Sequence, residues 1–82
     1  MTTARARVLD ELTELMRDIF VSPDLALTPA TTAADVRGWD SMKQIEINIA
    51  VEERYGIRLS AREVDAMRSV GDLVDLIVAK SK

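Results

Sequence analysis

The chain contains no cysteine and no histidine. Without cysteine there is no disulfide and no thiolate to hold a metal, and without histidine the commonest metal ligand and the usual general base are both missing. No run of about 18 apolar residues is present, so no segment reads as a membrane span, and the N-terminus lacks the apolar h-region of a signal peptide. The chain is accordingly expected to be cytoplasmic. Charge of one sign is also lacking: 14 acidic residues stand against 11 basic ones, for a net charge of -3. A nucleic-acid binder would instead concentrate a basic patch. No stretch alternates long enough to read as a strand, no internal repeat is found, and no segment is of low complexity.

What is present suits one small helical domain. The 82 residues, 48% of them apolar, provide for a single modest core and no buried active-site cavity. From about Thr3 to Phe20, Val8, Leu12, Leu15 and Ile19 recur at helical spacing, and Leu9, Met16 and Phe20 widen the stripe. Pro23 and Pro29 then bracket a long connection to about Asp40, in which Leu25, Leu27, Val36 and Trp39 are candidates to pin the chain to the core, and Thr32 to Asp35 can close one short helical turn. A second helix is expected from Ser41 to Tyr55, with Asp40 as N-cap and Gly56 as the left-handed residue that ends it. Ser60-x-x-Glu63 is a capping box for a short third helix carrying Val64 and Met67, and Ser69 with Asp72 opens a fourth, where Val70, Leu73, Val74 and Ile77 form the stripe. The expected fold is all-α: a small four-helix bundle, three longer helices and one short, with a long loop between the first two. It is expected to form one domain over residues 1–82 and to be monomeric.

The second helix carries two apolar faces. At about 100° per residue, Ile47, Val51 and Tyr55 fall on one side, and Met42, Ile45 and Ile49 on another about 200° away. A helix in a small bundle does not easily bury both, so the second stripe is expected at the surface beside Ser41, where an apolar patch rimmed by polar groups marks a partner surface. The alternative is that the preceding loop folds over it. Ser41 itself is a poor nucleophile on its own. Lys43 is two residues away and does not share its helix face, and Asp40 is too weak a base unless burial raises its pKa. Catalysis by this chain alone is therefore not expected.

Gly38-Trp39-Asp40-Ser41-Met42, with Ile45-Glu46-Ile47 and Ala50-Val51-Glu52-Glu53-Arg54-Tyr55-Gly56-Ile57 after it, resembles the acyl carrier protein family and its Asp-Ser-Leu/Met attachment signature. A bare Asp-Ser pair is uninformative; the same pair after a long loop, opening a helix of this pattern that ends in glycine, is specific. The resemblance implies that Ser41 accepts 4'-phosphopantetheine from coenzyme A through a phosphopantetheinyl transferase, and that acyl groups then ride as thioesters on the arm's thiol. A phosphodiester at a helix N-terminus would meet unpaired N–H groups and the positive end of the helix dipole. Asp40 would serve both as cap and in transferase recognition. Met42, Ile45, Glu46, Ile49, Glu52 and Glu53 would meet partner enzymes of the ligase, ketosynthase and acyltransferase type, in fatty-acid, polyketide or related acyl pathways.

Lys43, Gln44 and Asn48 stand where carriers of primary fatty-acid synthesis are usually acidic or apolar, and Arg37 adds positive charge just before the motif. That departure points to a specialised pathway. Two other readings stay open from the sequence: an aminoacyl or peptidyl carrier, including the D-alanyl type, where Asp-Ser-Met also occurs, and a helical interaction module whose Ser41 is never modified. The Trp-Asp-Ser form favours the acyl carrier.

Overall fold

The computed structural model describes residues 3–81, which form four α-helices and one 3-10 turn in the order α1 (Ala4–Ile19), the turn (Ala33–Asp35), α2 (Ser41–Tyr55), α3 (Ala61–Ala66) and α4 (Val70–Lys80). Each α-helix begins at a side chain that takes up an orphan backbone N–H. Thr3 accepts from the Ala6 amide, Asp40 from Lys43, Ser60 from Glu63 and Ser69 from Asp72. Ser60 and Glu63 close the expected capping box, with the Glu63 carboxylate accepting from the Ser60 amide at 3.0 Å. That bond, together with the Lys80 ammonium 2.9 Å away, holds the Glu63 carboxyl below the usual carboxylate range. Met67, expected on α3, is instead the residue that ends it, and packs against the core from there.

The core gathers Val8, Leu12 and Met16 of α1, Ile47 and Val51 of α2, and Val70, Leu73, Val74 and Ile77 of α4, closed by Leu27 and Val36 from the loop and Ile57 after α2. On α1 the structure corrects the sequence expectation. The buried line runs through Val8, Leu12 and Met16 at four-residue steps, whereas Leu15 and Ile19 are only partly buried. The reason is that α1 sits between two neighbours: Leu9 faces a groove with Gly71 and Val74 of α4, and Leu15 and Ile19 face one with Ala50 of α2. Among the described residues no charged or polar side chain is buried.

Helix α2 runs antiparallel to α1 and is fastened to it at both ends. Near its C-terminus the Tyr55 hydroxyl donates to Glu11 at 2.8 Å, and partial burial with that carboxylate beside it pushes the phenol up to about 12. At its start the Lys43 ammonium donates to the Ile19 carbonyl at 3.2 Å, the last residue of α1. Helix α1 then ends in a Schellman arrangement, with Ser22 N–H on the Arg17 carbonyl at 2.9 Å and Val21 N–H on Asp18 at 3.3 Å. The residue placed in the left-handed region by this motif is Val21, at φ 50°.

The long loop is held by more than its apolar anchors. Asp35 accepts from both the amide and the hydroxyl of Thr32, closing the expected short turn. Further on, the amides of Val70 and Gly71 donate to the carbonyls of Thr31 and Pro29 at 2.7 and 2.8 Å, so the loop meets the first turn of α4. This approach requires glycine at position 71, because a Cβ there would stand 2.8 Å from the Pro29 carbonyl oxygen.

Candidate functional site

Ser41 is exposed and occupies the first position of α2. The chain reaches it through a turn from Val36 to Trp39, closed by the Trp39 amide on the Val36 carbonyl at 3.3 Å, with Gly38 at φ 86° where a side chain would be strained. Asp40 follows in extended conformation, its Oδ1 accepting from Lys43 N–H at 2.9 Å and its carbonyl from the Gln44 amide. The N–H groups ahead of Lys43 have no intrahelical acceptor and lie at the positive end of the helix dipole, beside the Ser41 hydroxyl.

Neither candidate base is poised to activate that hydroxyl. The Asp40 carboxylate is occupied as the helix cap, and the Lys43 ammonium bridges Glu46 at 3.1 Å and the Ile19 carbonyl, 5.9 Å from the Phe20 ring centroid. Among the described residues no cluster of acids is arranged to hold a metal ion, and no helix is long and apolar enough to cross a membrane. The site offers an accessible alcohol and an anion-favouring helix end.

Around Ser41 the two faces of α2 separate as expected. Ile47 and Val51 are wholly buried, while Met42, Ile45 and Ile49 are 69%, 54% and 51% exposed. The loop does not cover this second stripe. Glu46 and Glu53 are exposed on the same side. Glu52 is used differently: it is partly buried, and its Oε2 accepts the Leu59 amide at 2.8 Å, fixing the connection to α3. Its carboxylate is thus committed within the fold, a contact that neither spacing nor composition signals.

Two of the residues that set this sequence apart, Gln44 and Asn48, are hydrogen-bonded to each other, and Gln44 also to Trp39. Trp39 Nε1 donates to Gln44 Oε1 at 2.8 Å, and Gln44 Nε2 donates to Asn48 Oδ1 at 2.9 Å. Trp39 is partly buried and tilts against Phe20 with centroids 6.0 Å apart, so it is the expected loop anchor with a polar contact to α2 added. Between Trp39, Gln44, Met67 and Leu73 lies a cavity of about 60 Å³. An apolar cavity that binds benzene has about 150 Å³, so this one holds little.

The family described as "Phosphopantetheine attachment site" matches residues 10–77. An acyl carrier protein of Acidothermus cellulolyticus is 30% identical over 77 residues, covering 94% of this chain and 92% of that one. The chain belongs to the acyl carrier protein family. Its cofactor is 4'-phosphopantetheine, and proteins of this family are generally carriers without catalytic activity of their own. The chain is also similar to the meromycolate extension acyl carrier protein of Mycolicibacterium aurum, 25% identical over 94% of this chain and 79% of that one. Its fold matches the solution NMR structure of a holo acyl carrier protein from Geobacter metallireducens, with a TM-score of 0.85 and 34% identity over 89% of this chain and 84% of that one. The all-α four-helix bundle expected from the sequence is therefore this family's fold.

Proposed function

We propose that Ser41 is the residue that receives phosphopantetheine, and that the protein, one carrier domain over residues 1–82, acts in the cytoplasm as an acyl carrier for a specialised pathway. The observation that supports this most directly is an exposed serine at the first position of α2, within a chain that matches the attachment-site family. Coenzyme A supplies the phosphopantetheinyl group: the Ser41 oxygen forms a new bond to its phosphorus, the adenosine half leaves with the bridging oxygen, and the hydroxyl proton passes to a base on the transferase. The residues present fit such a phosphodiester, because first-turn N–H groups and the helix dipole favour an anion there. When bound, the arm supplies the thiol that this cysteine-free chain lacks. Asp40 keeps the helix start in register for the transferase, and partner enzymes supply the chemistry on the cargo.

The acyl reading is preferred to an aminoacyl one because the named relatives are acyl carriers. Met42, Ile45, Glu46, Ile49 and Glu53 are the contact surface for partners, with Glu52 holding the end of α2 in place behind them. Lys43 neutralises Glu46 at the edge of this face, so it is less acidic than that of a housekeeping carrier. The pathway proposal fails if the ketosynthase and malonyl transferase of primary fatty-acid synthesis use this carrier as readily as their own. The attachment is tested by intact mass before and after incubation with coenzyme A, magnesium and a broad-specificity phosphopantetheinyl transferase. One phosphopantetheine mapped to Ser41, and none on Ser41→Ala, is the expected result. A folded parent chain that gains no mass, or an alanine variant that still does, refutes the assignment and returns the interaction-module reading.

A further inference from the structure

Val21 is the most exposed large apolar side chain among the described residues, at 86%, and it is also the one non-glycine residue there with positive φ. The exposure alone is ordinary; the backbone conformation of a β-branched residue here is not. A β-branched residue in the left-handed region carries backbone strain that glycine avoids, and an isopropyl group in water gains nothing from the fold. The hydrogen bonds that end α1 here are main-chain bonds to Arg17 and Asp18, which glycine or asparagine would make equally well. Val21 lies outside the core and outside the apolar residues packed against it. Its side chain has no use within the molecule, and an exposed, strained residue points to use by something outside.

Its position says what that is. Val21 follows by two residues Ile19, whose carbonyl binds Lys43, and Lys43 follows Ser41 by two. Phe20, next to Val21, packs on Trp39, which precedes Ser41 by two. Val21 therefore stands at the same end of the bundle as Ser41, with the exposed Met42 beside that serine. An enzyme that brings coenzyme A within bonding distance of Ser41 must cover this end. Glu14 and Asp18, exposed acids, share a shallow groove with Val21 and with Arg17, whose Nε is turned to the Leu25 carbonyl, so the rim is acidic on balance.

We infer that Val21 is a docking residue for the phosphopantetheinyl transferase, meeting an apolar spot on that enzyme bordered by basic side chains. The inference rests on Ser41 being the attachment point. The test compares the parent chain with Val21→Gly, Val21→Asn and Val21→Leu, measuring thermal midpoint and kcat/KM for modification by a broad-specificity transferase with coenzyme A and magnesium. Glycine and asparagine should raise the midpoint by several degrees by relieving strain, yet lower kcat/KM about fivefold through loss of one partly buried side-chain contact. Leucine, which keeps an apolar contact, should stay within about twofold of the parent. Unchanged kcat/KM in the glycine and asparagine variants overturns the proposal, as does a midpoint that does not rise in them. A parent chain that takes no phosphopantetheine refutes the attachment reading itself and is recognised before any variant is compared.

Discussion

Ile47 and Ile49 offer a controlled comparison, because they are the same residue two positions apart on the same helix. Ile47 is 0% exposed and Ile49 is 51% exposed. Replacing either with alanine improves intrinsic helix propensity by the same few tenths of a kcal/mol, so that contribution cancels. At position 47 the substitution loses the transfer energy of buried methyl groups and leaves a cavity between α1, α2 and α4, a cost of about 2 to 5 kcal/mol. At position 49 the cost should fall within about 0.5 kcal/mol. The difference, about 2 to 5 kcal/mol, corresponds to a gap of roughly 8 to 40 °C between the two thermal midpoints for a domain of this size. Urea unfolding should give the same order with an unchanged slope. At a temperature where both variants are folded, Ile49→Ala should slow modification by the transferase and Ile47→Ala should not. Equal stability losses, or a loss of several kcal/mol at Ile49, would show that the second stripe belongs to the core and would remove the docking face.

Tyr55 should titrate late, near pH 12. Since its folded pKa is raised, the stabilisation this represents is whole below the unfolded value of about 10 and is withdrawn as pH rises through about 12. Phenolate absorbance reports it without ambiguity because the chain has one tyrosine, and in Tyr55→Phe the stability lost over that interval should shrink. Gly71→Ala should cost about 1 to 3 kcal/mol in urea melts, since the new methyl group meets the Pro29 carbonyl and the loop must shift. Asp40→Ala should cost about 1 kcal/mol through loss of the cap to Lys43; unchanged stability would mean that another group replaces it.

The sequence is readable here wherever a rule is local. Asp40 and Gly56 bound α2 as expected, and Ser60 with Glu63 and Ser69 with Asp72 open α3 and α4, because capping depends on residues three or four apart. That Met42, Ile45 and Ile49 share one face follows from helical geometry alone, and the structure leaves that face uncovered. What escaped depends on partners distant in the chain or on backbone shape. Lys43 reads only as a departure from the usual acidic or apolar pattern until α1 brings the Ile19 carbonyl to it across 24 residues. Glu52 reads as an interface acid until the chain reverses at Gly56 and presents the Leu59 amide. The buried line on α1 depends on which two helices flank it, so the stripe narrowed to Val8, Leu12 and Met16. Val21 escaped because nothing marks a left-handed residue when glycine or asparagine is absent.

Trp39 is the chain's one tryptophan, and it lies two residues before Ser41 with its indole N–H bonded to Gln44 and its ring against Phe20. Indole emission responds to solvent contact and to the partner of its N–H. The protein thus contains its own optical gauge close to Ser41, readable without a label. Modification of Ser41 or arrival of a partner would each disturb the same fluorophore, allowing stopped-flow traces to follow the carrier's traffic in real time.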